Sequence, residues 1–192
     1  MLEHMPPVIG HSLAGIRPGM EKLAYASAEM AAPETVSITS EAFGNGEAIP
    51  ARYTADGARL SPPLRFRRIP PGTRSLALIA EDADSPTPAP LCHALVWKID
   101  PLDGGGFQEA ALDADAMPTA RRGALVGKNS FLALGWLPPD PPPGHGPHRY
   151  ALQIYALDAV PDLKEGAGRG AVMAALKGHV LAKGLLVGTY QR

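Results

Sequence analysis

From residue 35 onwards, short segments alternate apolar and polar positions in the manner of β-strands. "TVSITS" (35–40) alternates and is rich in β-branched residues, and "SLALIAEDAD" (75–84) opens with an apolar run after the turn "PPGT". "HALVWKID" (93–100) predicts another strand, which ends before Pro101. "RYALQIYALD" (149–158) is apolar on both faces, which is typical of a central strand covered by two layers.

Two other segments carry the spacing of helices. "SLAGIRPGMEKLAYASAEMA" (12–31) places apolar residues at near-helical intervals, but Pro18 and Gly19 interrupt it, so it predicts one or two short helices. "GRGAVMAALKGHVLAKG" (168–184) predicts a helix that ends at Gly184 and is followed by a closing strand. The segment 103–122 has no clear period and is predicted to be a loop.

These elements predict a mainly β protein with an antiparallel body of two sheets and a C-terminal helix. The alternating βαβ pattern of a parallel sheet is absent. A chain of 192 residues has the length of one domain with a short appendage. We therefore expect a helical N-terminal extension over residues 1–34 and a β domain over residues 35–192.

Composition and charge narrow the possible partners. Apolar residues make up 45% of the chain, enough for a core, and the net charge of −1 provides no field that would attract nucleic acid or an anionic membrane. No apolar stretch approaches the length of about 18 residues that a membrane span needs, so we expect no stable membrane insertion. The single cysteine, Cys92, cannot form an internal disulfide, and we expect a cytoplasmic protein.

Carboxylates gather directly after one predicted strand, in "EDADSP" (81–86). Asp82 and Asp84 are two residues apart, so extended backbone would place them on one face. The alternative is a turn that uses aspartate for local backbone hydrogen bonds. His93 opens the next predicted strand, where a histidine can be structural or part of a site.

The stretch "PPDPPPGHGPHRY" (138–150) is too rich in proline for a strand or helix. Where the next strand begins, His148 and Tyr150 should share one face and Arg149 the other. Together with His145 and a carboxylate, these side chains suit either a metal site or an anion pocket in which imidazole and phenol donate hydrogen bonds. A proline-stiffened rim would lose little entropy when a ligand binds.

Four motifs in this order resemble the phosphatidylethanolamine-binding protein family. They are "DADSP" (82–86), the strand opening at His93, "GKNS" (127–130) and "PPPGHGPHRY" (141–150). "LSPPL" (60–64) and "LVGTY" (186–190) also look like the bacterial members described as Raf kinase inhibitor-like. The resemblance covers residues 35–192 and implies a β-sandwich with a Greek-key element and a small anion-binding pocket.

The resemblance also implies roles for individual residues, and we expect no cofactor or metal. The pocket groups that it implies are Asp82, His93, His148 and Tyr150, with Pro86, Pro142 and Asp140 at the rim. Asp84 and Arg149 match a charged pair that ties the two motifs together beneath the site. The charge of Asp82 is expected to favour the imidazolium forms of His93 and His148.

The expected function is the non-catalytic binding of a small anion, such as phosphate or a phospholipid head group, and regulation of a partner protein such as a kinase or protease. Common nucleophile signatures are absent from the sequence, so we do not expect an enzyme. The alternative is a hydrolase or metal-dependent enzyme that would use His93, His145, His148 and Asp82. Bacterial relatives of this type look dimeric, so a homodimer is expected.

Overall fold

The computed structural model describes residues 6–102, 109–113, 115, 117 and 123–192. In these residues, eight strands form two antiparallel sheets, and one α-helix lies near each end of the chain. In chain order the elements are α1 (Pro7–Leu13), β1 (Ser37–Thr39), β2 (Leu64–Arg67), β3 (Ser75–Asp82), β4 (Leu91–Ile99), β5 (Glu109–Leu112), β6 (Leu125–Val126), β7 (His148–Leu157), α2 (Arg169–Leu176) and β8 (Val180–Tyr190). Single 3₁₀ turns lie at Met20–Lys22, Ala24–Ala26, Ala28–Met30 and Ala51–Tyr53.

The smaller sheet has the strand order β1-β2-β5, and the larger has the order β6-β4-β3-β7-β8. Strands β3 and β7 are interior strands of the larger sheet, and every residue of β3 is buried. The two strands pair in register from Ser75 opposite Leu157 to Asp82 opposite Tyr150. This register brings the end of β3 beside the beginning of β7, which is where the candidate site lies.

The larger sheet is covered on both faces, so alternate residues of its strands enter two different cores. Leu76 and Leu78 of β3 belong to the core between the two sheets. Ala77 and Ile79, one position along, belong to the core under α2 and the N-terminal 3₁₀ turns. Burial on both faces explains why these strands read as continuous apolar runs rather than as alternating ones.

The C-terminal helix is shorter than the sequence predicts. Helix α2 ends at Leu176, and Gly178 adopts a φ of 81°, which takes the chain out of the helix and into β8 at Val180. The predicted helix end at Gly184 is therefore wrong. Gly184 lies inside β8 opposite Ile154. Because Gly184 has no side chain, the backbone of Val36, just before β1, can approach it closely.

Two further expectations are corrected. Residues 109–112, which fall inside the predicted loop, form β5 and pair with β2; other parts of the segment 103–122 lie outside the described residues. "EAAL" has no β-branched residue, so its strand depends on the pairing with β2 rather than on local propensity.

The second correction concerns the short helices predicted within residues 12–31. The α-helix of the N-terminal segment covers residues 7–13, and the residues from 20 to 30 form three 3₁₀ turns.

Strands β1, β3, β4, β7 and the end of β8 agree with the sequence, as does the mainly β architecture with two sheets and a C-terminal helix, whereas β2 and β6 were not predicted. Among the residues described, no helix combines the length and the apolar character that crossing a bilayer requires.

The close approach at Gly184 gives a test of the register of β8. A Cβ atom at this position would lie 2.1 Å from the carbonyl oxygen of Val36, so Gly184→Ala should lower the free energy of unfolding by about 1–3 kcal/mol. Gly170→Ala is the control, because Gly170 is in α2 with open space around it and alanine should stabilise the helix by about 0.5–1 kcal/mol. Chemical denaturation that gives both variants the same stability would contradict this packing.

Candidate anion-binding pocket

Three neighbouring strands of the larger sheet bring the polar side chains together. Asp82 ends β3 and His148 begins β7, and Tyr150 lies opposite Asp82 in the register of these strands. His93 comes from β4 on the other side of β3. All four side chains are deeply buried, since none of these residues is more than 3% exposed.

A chain of short hydrogen bonds runs from Asp82 to the N-terminal helix. Asp82 Oδ2 lies 2.7 Å from His148 Nδ1, and His148 Nε2 lies 2.7 Å from His145 Nδ1. His145 Nε2 lies 2.9 Å from the carbonyl oxygen of Leu13, at the end of α1. The second oxygen of Asp82 accepts a hydrogen bond of 2.8 Å from the backbone N–H of Asp84.

The partners determine where the hydrogens lie along this chain. The Leu13 carbonyl can only accept, so His145 Nε2 carries a hydrogen. Burial lowers the pKa of His145 below its ordinary value, so this ring is neutral and its Nδ1 accepts from His148 Nε2. The chain ends at the buried carboxylate of Asp82, which lies within hydrogen-bond distance of His148 Nδ1.

His93 has a different protonation state from the one the sequence led us to expect. Its Nδ1 donates to the carbonyl oxygen of Leu137 over 2.6 Å. Burial lowers the pKa of His93 and outweighs the raising effect of Asp82, so the ring is neutral in this pocket. Asp82 does raise the pKa of His93 as expected, but the larger effect of burial reverses the net shift, and His93 Nε2 is an acceptor with an unused lone pair.

Two buried polar atoms of this site, His93 Nε2 and Tyr150 Oη, have no hydrogen-bond partner. In the described part of the chain the same is true of Trp136 Nε1 and of Trp97 Nε1, which lies in the core under α2. The rings of His93 and Tyr150 are in edge contact, with centroids 5.1 Å apart, and the ring of Trp136 is 6.1 Å from that of His93. Burial raises the pKa of Tyr150 well above its ordinary value, so the phenol keeps its hydrogen and can donate it.

Asp84 is bound on the other side of the same turn. Arg149 Nε and Nη2 donate to its two oxygens over 2.7 and 2.8 Å, and the Arg149 backbone N–H adds a third hydrogen bond of 2.9 Å. Arg17 Nη1 lies 3.3 Å from the same carboxylate. Burial alone would raise the pKa of Asp84, but the hydrogen bonds from Arg149 hold it below the ordinary value. The carboxylate thus links "DADSP" to the beginning of β7.

The rim residues named by the sequence have different surroundings. The Pro142 carbonyl accepts a hydrogen bond of 3.1 Å from the backbone N–H of His145, which shapes the turn that carries this histidine. Asp140 forms an ion pair with the guanidinium of Arg192, which also binds Asp56. Pro86 is half-buried in the turn after β3.

Several groups that complete the site could not be identified from residue types. Leu13 and Leu137 contribute only a backbone carbonyl, which any residue could provide. Arg17 lies in the N-terminal segment, outside the motifs that carry the family resemblance. The sequence did draw attention to His145, three residues before His148, but it gave no indication that the two rings bind each other.

Comparison with known proteins identifies the family of this chain. A model of the phosphatidylethanolamine-binding protein family matches residues 39–191. The chain belongs to this family. A UPF0098 protein of Methanothermobacter thermautotrophicus is 40% identical over 157 residues, which are 82% of this chain and 99% of that protein. The family resemblance predicted from the motifs is thus confirmed.

Solved structures of family members also match. A phosphatidylethanolamine-binding protein homologue from Chlamydia trachomatis is 33% identical with a TM-score of 0.73, over 83% of this chain and 99% of that one. YbcL of Escherichia coli, with 24% identity, has the same TM-score of 0.73 over 82% of this chain and 99% of its own, and it supports the fold alone. The predicted family fold is thereby confirmed.

The double ion pair at Asp84 predicts non-additive stability effects. Arg149→Met should cost about 1–3 kcal/mol, less than a fully buried pair would, because the carboxylate is 2% exposed but the Arg149 side chain is 44% exposed. Adding Arg17→Met should cost more than the sum of the single changes, since Asp84 then has no cation beside it. Denaturation curves at pH 7 measure this cycle, and additive effects would contradict it.

The same cycle has a pH dependence. Because the folded-state pKa of Asp84 is lowered, the stabilisation that its ion pair with Arg149 provides is fully present above the ordinary carboxyl range of about pH 4. It is lost as the pH falls through the folded-state value, so wild type and Arg149→Met should converge in stability in acid.

Proposed function

We propose that this pocket binds a small anion with a phosphate-like head group and that it does so without catalysis. The observation that carries the proposal is the pair of unpartnered polar atoms, His93 Nε2 and Tyr150 Oη, side by side in a buried site. An unsatisfied buried donor or acceptor costs about 1–3 kcal/mol, and a ligand that bonds to both would recover this free energy.

The two atoms require different hydrogen-bond partners in a ligand. The Tyr150 hydroxyl offers a hydrogen, whereas neutral His93 Nε2 accepts one. A phosphate group meets both needs, because it has acceptor oxygens and titrates near pH 6, so that one oxygen can carry a proton. Alternatively, a fully ionised ligand would draw a proton onto His93. The name of the family supports a phosphorylated head group as the ligand class.

The arrangement favours binding over the alternative of a hydrolase or a metal-dependent enzyme. Both ring nitrogens of His148 are engaged, by Asp82 and by His145, so neither is available to activate a nucleophile while His145 is in place. Both nitrogens of His145 are engaged as well. Of the residues that the structure describes, no three His, Cys, Asp or Glu side chains are grouped to hold a metal ion.

Other parts of the expected function stay predictions. Regulation of a kinase or protease, assembly as a homodimer and a cytoplasmic location are compatible with a binding protein, and each needs its own measurement. The assignment of Pro86, Pro142 and Asp140 to the ligand-binding rim is likewise a proposal.

Removing one hydroxyl tests the proposed site. Tyr150→Phe should weaken binding of inorganic phosphate and phosphoethanolamine about tenfold or more, since a hydrogen bond to a charged ligand is worth about 1.5–3 kcal/mol. The stability of the free protein should stay the same or rise, because the deleted hydroxyl is unsatisfied without a ligand. Calorimetric titration and denaturation measure the two effects.

Tyr155→Phe is the matched control. Its hydroxyl donates to Gln153 over 2.9 Å in the core beneath α2, away from the pocket, so its loss should leave phosphate affinity unchanged. Equal affinity of Tyr150→Phe and wild type would refute the role of Tyr150.

Proton uptake tests the state of His93. Sulfate does not titrate near neutral pH, so any proton taken up when it binds at pH 7 must go to the protein. We expect uptake approaching one proton, because the neutral His93 becomes an imidazolium beside the anion. Calorimetry in buffers of different ionisation enthalpy measures it. The uptake should vanish below the lowered pKa of free His93, and binding without uptake at pH 7 would contradict the assignment.

A further inference from the structure

Helix α1 lies directly against the proline-rich loop that borders the pocket. Gly10 is buried there, and a Cβ atom on it would be 2.0 Å from the carbonyl oxygen of Pro143 and 2.9 Å from the backbone nitrogen of His145. On the loop side, a Cβ atom on Gly144 would be 2.6 Å from the carbonyl oxygen of Pro7. The helix and the loop therefore meet backbone to backbone, with no space between them.

Arg17 fastens the chain just after α1 to the same loop. Its Nη1 donates to the carbonyl oxygen of Pro147 over 2.7 Å, and its Nη2 donates to that of His145 over 2.5 Å. Its ion pair with Asp84 adds a link to the turn after β3. We call α1 together with Arg17 the cover, because these residues lie over the loop that carries His145.

The cover holds His145 at a specific place. The Leu13 carbonyl accepts from one nitrogen of His145, and this fixes the other, Nδ1, as an acceptor 2.7 Å from His148 Nε2. A ligand oxygen that bonded to His148 would have to lie where this nitrogen now lies. With His145 in position, the pocket's ionisable groups are almost entirely shielded from solvent.

We infer that the cover and His145 act as an internal occupant of the pocket, which an anion must displace before it can bind to His148. The inference rests on the proposed function, and it adds that access to the site is regulated by the N-terminal segment. Binding then requires release of the Leu13 and Arg17 contacts and withdrawal of His145. The apparent affinity is the intrinsic affinity multiplied by the fraction of molecules in which the cover is open.

The cover is an addition to the family domain. The family model begins at residue 39, after the cover. The relatives from Methanothermobacter and Chlamydia are matched over 99% of their own lengths but cover only 82% and 83% of this chain. Those proteins have no length left for a counterpart of the whole N-terminal segment, so this regulation distinguishes the present chain from them.

The inference reverses the usual expectation for one residue. If His145 were a ligand-binding group, His145→Ala would weaken phosphate binding. As an internal occupant it competes with the ligand, so His145→Ala should strengthen the binding of inorganic phosphate by about tenfold or more.

Two glycine variants test the cover in the full-length chain. Gly10→Ala places a methyl group where no space exists and should displace α1, with a gain in phosphate affinity similar to that of His145→Ala. Gly15→Ala is the matched control, because a Cβ atom there meets nothing within 4 Å and should leave the affinity at the wild-type value. Arg17→Met releases the cover from its other end and should also raise the affinity.

A second measurement needs no ligand. Diethyl pyrocarbonate modifies accessible, neutral histidines, and peptide mass spectrometry identifies which ones react. In wild type, His145 and His148 should react far more slowly than His179, whose side chain is 49% exposed and serves as the internal reference. In Gly10→Ala and Arg17→Met the modification of His145 should accelerate about fivefold or more, and in Gly15→Ala it should not.

The outcomes separate the two proposals. Faster modification together with tighter phosphate binding supports the cover. Faster modification with the same phosphate affinity as wild type overturns the cover as a barrier and leaves the proposed function in place. Faster modification with no phosphate binding by any variant refutes the anion site, while the cover remains a barrier to solvent. Unchanged modification and affinity in both Gly10→Ala and Arg17→Met refutes the cover.

Discussion

The buried hydrogen bond between Asp82 and His148 holds the site together, because it joins the last residue of β3 to the first residue of β7. A carboxylate this deeply buried is tolerable only with hydrogen-bond partners, and His148 and the Asp84 backbone N–H provide them. The same bond orients His148 toward His145. The position of His145 therefore depends on this carboxylate as well as on the contacts with α1 and Arg17.

The neighbouring carboxylate shows why the sheet can hold two buried acids in succession. Glu81 points to the opposite face, where Arg169 and Gln153 donate to it over 2.5 and 2.8 Å. It also accepts from the backbone N–H of Ala24, so it anchors the 3₁₀ turns of the N-terminal segment to the sheet. Each acid has its own compensating partners on its own side. Release of α1 would consequently leave residues 24–30 attached, and the segment would open from its beginning only.

Much of the fold and part of the site could be predicted, because strand periodicity is a local property. The apolar runs located β3, β4 and β7, and the two-residue period placed His148 and Tyr150 on one face. The end of α2 could not be predicted, since helical spacing continues through residues that pair with β7 instead. The neutrality of His93 follows from the depth of burial, and the roles of Leu13 and Leu137 follow from main-chain atoms. Neither burial depth nor a main-chain contact can be identified from the residue type.

The main-chain character of the contact between α1 and the pocket loop has an evolutionary consequence. Leu13 acts through its carbonyl, Gly10 acts by having no side chain, and Val8 and Ile9 point largely to solvent. Most positions of this helix can therefore be substituted without loss of the contact. Chains that share the device would retain little similarity along α1. A glycine and an arginine seven positions later, upstream of the family domain, would be the only inherited signature.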